Sequence, residues 1–150
     1  MMANCSDVVV GVDDSPASLE ALRVAASEAA LRGVGVCAIH VWQYPSSWGM
    51  PLNWPAGANP GEFVRERLIE EVQRVQSARR AADEPSVNVS IEVIEGDAED
   101  ELRAAAKDAS MLVLGERHHQ GLTPMMGSVA SALVPHPPCP VLIVPEGDHP

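Results

Sequence analysis

The chain has 150 residues, 46% of them hydrophobic, and a formal net charge of −11, which together fit one globular domain with a core of its own. So acidic a surface excludes broad binding to nucleic acid or to anionic membranes, while a local anion site stays open to it, because helix N-termini and backbone N–H groups supply one. Aromatic residues make up only 3%, so the core must be aliphatic and alanine-rich, and no apolar run approaches the length of a membrane span.

"DVVVGV", Asp7 to Val12, is a β-branched run that predicts a buried parallel strand. In "DDSPASLEALRVAASEAALRG", Ser15 suits an N-cap and Pro16 the first helical position. Leu19, Leu22, Ala26 and Ala29 then recur at helical spacing until Gly33 ends the helix. "VGVCAIHVW", Val34 to Trp42, is the second strand. "QYPSSWGMPLNWPAGANPGE" has no period and predicts a long loop over 43–61, in which Trp48 and Trp54 either pin the loop to the body or form a ligand lid.

From Phe63 the chain turns amphipathic, with Val64, Leu68, Val72 and Val75 on one helical face. "VNVSIEVI" alternates at Val87, Val89, Ile91 and Val93, the pattern of a strand near a sheet edge. A third helix follows, with Asp97 as its cap and Leu102, Ala105, Ala106 and Ala109 facing inward. "MLVL" is the fourth strand, and a short helix from about Ser128 to Leu133 is stopped by "PHPP". "PVLIVP" is the fifth strand.

Strands alternating with helices predict an α/β fold: an open, five-stranded parallel sheet with helices on both faces. A single domain covers 1–150, with 1–6 and 145–150 as tails. The three cysteines, Cys5, Cys37 and Cys139, form neither a disulfide framework nor a metal set, and read as reduced thiols of a cytoplasmic protein. The opening "MMANCSD" is polar and too short for a signal peptide.

In such a sheet, ligands bind beyond the C-terminal strand ends, where the strand order reverses. With the order 3-2-1-4-5, the loops after the first and fourth strands face one another. The first of these loops holds Gly11, Val12 and Asp13, whose carboxylate suits ribose hydroxyls. The second is "GERHHQGLTPMMGSV", Gly115 to Val129. Gly115 and Gly121 allow a left-handed backbone and close approach to a ligand. Gly127, Ser128 and Val129 open a helix whose first N–H groups point outward. The Val41 backbone, at the end of the second strand, is placed to read an adenine edge.

The sequence resembles the universal stress protein family in three stretches, "VVVGVDDSPASLEALRVA", "GDAEDELRAAAKDASMLVLG" and "GSVASALVPHPPCPVLIVP". The resemblance implies a fold of the adenine nucleotide alpha hydrolase type, and homodimers paired through the last strand, Val141 to Val144. It also implies ATP at the meeting of the two loops, with Mg²⁺ alongside. In the nucleotide-binding branch the loop reads G-x2-G-x9-G-[ST]. Gly115 matches its first glycine, Gly127 and Ser128 its end, Gly121 a further common glycine, Asp13 the aspartate after the first strand, and Val41 the adenine-contacting position.

The chain departs from that pattern twice. His118 takes the second glycine position, and the span from Gly115 to Gly127 is one residue short. A histidine in the left-handed region costs about 1–2 kcal/mol, and its ring fills space that glycine leaves for phosphate. Arg117, His118 and His119 offset this with donors beside the phosphates.

No lysine of the P-loop type, no acid/base pair and no metal spacing is present, so neither catalytic nor metal residues are assigned. The expectation is a universal stress protein that binds ATP as a stress-response sensor or switch, a weak ATPase at most. Its rival is a dimeric interaction module of the same fold that no longer binds nucleotide. A nucleotide-transfer enzyme is disfavoured for want of a catalytic signature.

Overall fold

Three consecutive valines, Val8, Val9 and Val10, are each 0% exposed, which requires a strand covered on both faces. They form the middle of the sheet in the computed structural model, which describes residues 7–43, 59–116 and 128–146. The chain alternates β1 (Val8–Gly11), α1 (Pro16–Arg32), β2 (Val36–Trp42), α2 (Pro60–Ala81), β3 (Val89–Glu95), α3 (Ala98–Ala106), β4 (Met111–Gly115), α4 (Ser128–Leu133) and β5 (Val141–Val144). The five strands lie in the order β3-β2-β1-β4-β5, with every pair parallel.

Because side chains alternate along a strand, β1 feeds two cores. Val8, Val10 and Val12 pack with Ala21, Leu22, Ala25 and Ala29 of α1 and with Leu68 and Val72 of α2. Val9 packs on the other face with Ile39, Leu112 and Leu114, and with Leu102 of α3 and Leu133 of α4. Alanines on the buried face of α1 let its backbone come close to the sheet. Full burial of each Leu or Val side chain contributes about 1.5–3 kcal/mol.

The helix ends follow local chemistry. Ser15 Oγ accepts from the Ser18 N–H at 3.2 Å, and Pro16 stands in the first turn. Gly33 closes α1 in the left-handed region at φ 69°. Asp97 Oδ2 accepts from the Asp100 N–H at 3.0 Å, and Glu99, Asp100 and Glu101 suit the positive end of α3. Arg103 of α3 donates to the carbonyls of Ala132 and His136, tying down the exit of α4.

Several element boundaries differ from the sequence reading by a few residues, and the one at α2 has a local cause. The loop drawn over 43–61 ends earlier, because α2 starts at Pro60 with Asn59 as its cap, its side chain accepting from the Gly61 N–H at 2.9 Å. An Asn-Pro pair starts a helix by supplying an acceptor and a preset φ, yet inside a Pro- and Gly-rich run it reads as loop. The rest of that loop, with Trp48 and Trp54, lies outside the described residues. β3 is an edge strand as its alternation predicts, with Val89, Ile91 and Val93 half-buried against the α1 and α2 core.

Candidate functional site

β1 and β4 are neighbours, pairing Val8 with Met111, Val9 with Leu112 and Val10 with Val113. The strands on their outer sides are β2 and β5, so the order reverses at this seam. The C-terminal ends of β1 and β4 therefore open toward the same edge, where a crevice is expected.

The chain leaves β1 through a tightly bonded turn. The Val12 N–H donates to the Ile39 carbonyl at 2.9 Å, and Val12 is 3% exposed. The Asp13 N–H donates to Ser18 Oγ at 3.1 Å, while Asp13 Oδ1 accepts from the Ser15 N–H at 3.0 Å. Asp14 is left-handed at φ 67°, a conformation aspartate tolerates better than most residues. Val12 thus serves the sheet and core, and its N–H is already used. Gly11 serves the strand too: a Cβ there would stand 3.0 Å from Leu102 and 3.1 Å from Leu114.

Gly115 acts differently from the expectation drawn from sequence. Among the described glycines only Gly33 has a positive φ, so Gly115 is not used for left-handed backbone. It is used for the absence of a side chain. A Cβ at Gly115 would lie 2.5 Å from the Ala17 carbonyl carbon, 2.6 Å from its oxygen and 2.7 Å from the Ser18 nitrogen. The last residue of β4 thus presses directly on the first turn of α1, joining the exits of β4 and β1. Glu116 continues the sheet by donating its N–H to the Val144 carbonyl at 2.7 Å.

Val41 stands where its backbone can face the crevice. The β1–β2 ladder ends at the pair Gly11 and Ile39, and the Ile39 carbonyl points toward β1. The Trp42 carbonyl points the other way, accepting from the Gly96 N–H at 2.8 Å. Backbone groups of successive strand residues alternate in direction, so Val41 presents its N–H and C=O on the β1 side, past the end of that ladder.

α4 begins at Ser128, and the Val129 side chain is half-buried in the α3 and α4 core, which leaves its backbone as the part toward the loop. Arg117, His118, Gly121 and Gly127 lie outside the described residues, as does the Ser128 side chain. Gly11, Val12, Asp13, Val41 and Gly115 are gathered at one edge of the sheet.

Sequence reasoning missed the polar groups under the Asp13–Asp14 turn. Ser18 is 3% exposed, and its hydroxyl both accepts from Asp13 and donates to the Ser15 carbonyl at 3.0 Å. Glu71 of α2 is 7% exposed, and its Oε2 has no hydrogen-bond partner among the described residues. Burial, then a hydrogen bond and the charge of Asp14, push the Glu71 carboxyl up to about 8, against Arg67 and Arg74. Arg67 pairs with Asp14 at 3.5 Å. Burial holds His40 of β2 below the ordinary imidazole range, against the charges of Asp14 and Asp13. The signal was present in part: Glu71 interrupts the apolar stripe of Leu68, Val72 and Val75.

No group of three His, Cys, Asp or Glu side chains that could hold a metal ion occurs among the described residues. Likewise no helix among them is long and apolar enough to cross a membrane.

Fold and seam define an open parallel α/β protein whose strand order reverses between β1 and β4. A sequence model described as "Universal stress protein family" matches residues 6–145, and the chain belongs to that family. It is 30% identical to a universal stress protein of Mycobacterium tuberculosis, over 94% of this chain and 48% of the relative. It is 32% identical to one of Methanocaldococcus jannaschii, over 91% of this chain and 80% of the relative. The chain spans about half the length of the mycobacterial relatives it matches.

Among solved structures, a universal stress protein from Archaeoglobus fulgidus superposes with a TM-score of 0.65 at 24% identity, covering 93% of this chain and 98% of its own. A universal stress protein in complex with cAMP gives 0.63 at 20% identity, covering 95% and 98%. A universal stress protein from Archaeoglobus fulgidus in complex with dAMP gives 0.60 at 23% identity, covering 96% and 99%.

Proposed function

We propose that this chain binds an adenine nucleotide, ATP with Mg²⁺ alongside, at the seam between the β1 and β4 exits, and works as a stress-response sensor or switch in the cytoplasm. Hydrolysis, if any, is slow. The observation that carries the reading is the contact of Gly115 with the first turn of α1, which brings the start of the glycine loop against the turn holding Asp13. The direction of the Val41 backbone supports an adenine edge beside β1. The cAMP and dAMP complexes of fold neighbours support the same ligand class.

In this reading the Val41 backbone meets the base and Asp13 the ribose. Gly115, Arg117, His118, Gly121, Gly127, Ser128 and Val129 surround the phosphates. Gly11 and Val12 shape the floor by fixing where the turn begins. With no acidic triad among the described residues, Mg²⁺ would be held chiefly by phosphate oxygens and water, its usual mode with nucleotides. The net charge of −11 supports small-molecule ligands over nucleic acid.

A homodimer through β5 belongs to the same proposal. Val141–Val144 is an outer strand of the sheet, and an apolar edge invites pairing with a second copy.

The test is to purify the protein, denature it and analyse the released small molecules by chromatography. Adenine nucleotide in stoichiometric amount is the expected result. Its absence, together with no uptake by the refolded or emptied protein, would leave the interaction module without nucleotide as the better reading. His118→Gly refines the picture: tighter binding would make the histidine an obstruction, weaker binding a phosphate ligand.

A further inference from the structure

Beneath the candidate nucleotide site lies a carboxyl pair that the proposed function does not use. Asp14 directly follows Asp13 and holds a left-handed backbone at φ 67°. Arg67 of α2 pairs with it at 3.5 Å, and the buried carboxyl of Glu71, one turn further along α2, lies near enough to feel its charge. Glu71 is 7% exposed and its Oε2 has no hydrogen-bond partner among the described residues, so it is a buried carboxyl oxygen left unsatisfied. A cleft of about 370 Å³, lined by Phe63, Glu66, Arg67, Glu70, Glu71 and Arg74, gives its proton a way to solvent.

We propose that Glu71 and Asp14 form a proton-holding latch that fixes the Asp13–Asp14 turn and ties nucleotide affinity to the protonation of Glu71. The tie to nucleotide rests on the function proposed above. With the proton in place, Glu71 is neutral and donates toward Asp14, whose negative charge stays paired with Arg67. When the proton leaves through the cleft, two carboxylates face one guanidinium. Glu71 then competes for Arg67 and repels Asp14. Asp14 is the residue of the turn that holds a left-handed backbone, so the turn gives way there, and Asp13 moves with it.

The charged groups around the pair are Asp13 from the turn, His40 from β2, and Glu66, Arg67, Glu70 and Arg74 from α2 itself. The carboxyl of Glu71 sits at about 8, above its ordinary 4.5. The folded chain therefore keeps a proton that the unfolded chain has lost, and this contribution to stability declines as pH rises from 4.5 to about 8. His40 acts in the opposite sense, since its lowered value costs stability as pH falls below 6.5. Comparing the wild type with Glu71→Gln isolates the latch from His40.

The experiment measures thermal midpoints and ATP affinity of the full chain and of Glu71→Gln from about pH 5 to about pH 9, spanning the Glu71 value of about 8. The variant is expected to gain at least about 4 °C over the wild type across that range. Wild-type ATP affinity is expected to fall about tenfold above pH 8, equivalent to one pKa unit between free and bound protein, while the variant stays flat. Parallel stability profiles would overturn the latch whether or not ATP binds. Diverging stability profiles with pH-independent ATP affinity would overturn its control of the site. Diverging profiles with no ATP binding at any pH would defeat the nucleotide reading and the control it implies, but support the carboxyl pair. Asp14→Asn adds a second check: without the like charge, the midpoint of the stability profile must move to lower pH, and an unmoved midpoint would overturn the pairing.

Discussion

On the α3 and α4 side of the sheet, Val9, Ile39, Leu112, Leu114, Leu102 and Leu133 close on one another as an aliphatic core. On the α1 and α2 side, comparable valines and alanines share the interior with Ser18, Glu71 and Arg79, the buried polar side chains among the described residues. The first side supports the sheet mainly by packing. The second adds directional bonds, and two of them converge on the turn after β1. The contrast separates what holds the fold from what shapes the crevice, because a hydrogen bond or charge sets an angle that aliphatic packing leaves loose.

The change with the widest reach, on stability and on the site together, tests the seam joining both sides. Gly115→Val puts a branched side chain where even a Cβ lies 2.5 Å from the backbone of Ala17. Overpacking of this kind costs about 1–3 kcal/mol or more, and backbone cannot swing aside as a side chain can. The variant should lose stability in a urea titration and lose nucleotide affinity with it. Wild-type stability would show that the contact is not tight.

Leu112→Ala, on the aliphatic side, removes a 0% exposed side chain and should cost about 2–5 kcal/mol, independent of pH and salt. A pH-dependent loss would mean that a charged group reaches Leu112 itself. On the other side, Arg79→Met keeps the volume but removes hydrogen bonds to Ser27 Oγ and the Pro85 carbonyl and a 2.7 Å pair with Glu84. A loss of about 0.5–1.5 kcal/mol is expected, since Ser27 and Pro85 are exposed residues whose oxygens water can satisfy. A neutral result in chemical denaturation would place the Arg79 contribution in its methylenes, which methionine keeps.

Smaller effects sharpen the contrast at single residues. Asp97→Ala should cost about 1 kcal/mol by removing the cap of α3, with no effect on nucleotide affinity. Cys37 is buried in the aliphatic core, and burial, with the nearby Glu92 and Asp7 charges, raises its thiol to about 11. It should resist alkylation in the folded protein near neutral pH, with mass spectrometry as the readout. Prompt labelling at Cys37 would show that this face opens.

Much of the scaffold was legible because each signal had one physical meaning. Ser15 with Pro16, Asp97 before an acidic turn, and Gly33 after an apolar period all name helix ends. The valine run of β1 names a strand covered twice, and the alternation in β3 names an edge. Parallel connections alone leave the strand order open; the expected order 3-2-1-4-5 is the one in the structure, and it sets the seam. The site was less legible. A glycine offers both free dihedrals and missing bulk, and the sequence cannot say which one Gly115 uses; the structure uses the missing bulk. Val12 looked available as a loop residue, but the sheet runs one bond further and takes its N–H. Glu71 was hidden because a carboxylate within a charged helix reads as surface, and only the packing of α2 under the turn buries it.

The central claim is that the two strand exits, joined through Gly115, hold an adenine nucleotide. Calorimetric titration of the emptied protein with ATP and Mg²⁺ tests it most directly, with Gly127→Asp as the paired variant. Saturable one-site binding by the wild type, abolished when a carboxylate enters the phosphate position, is the predicted result. An absence of binding at high micromolar ATP, or equal binding by the Gly127→Asp protein, would contradict it.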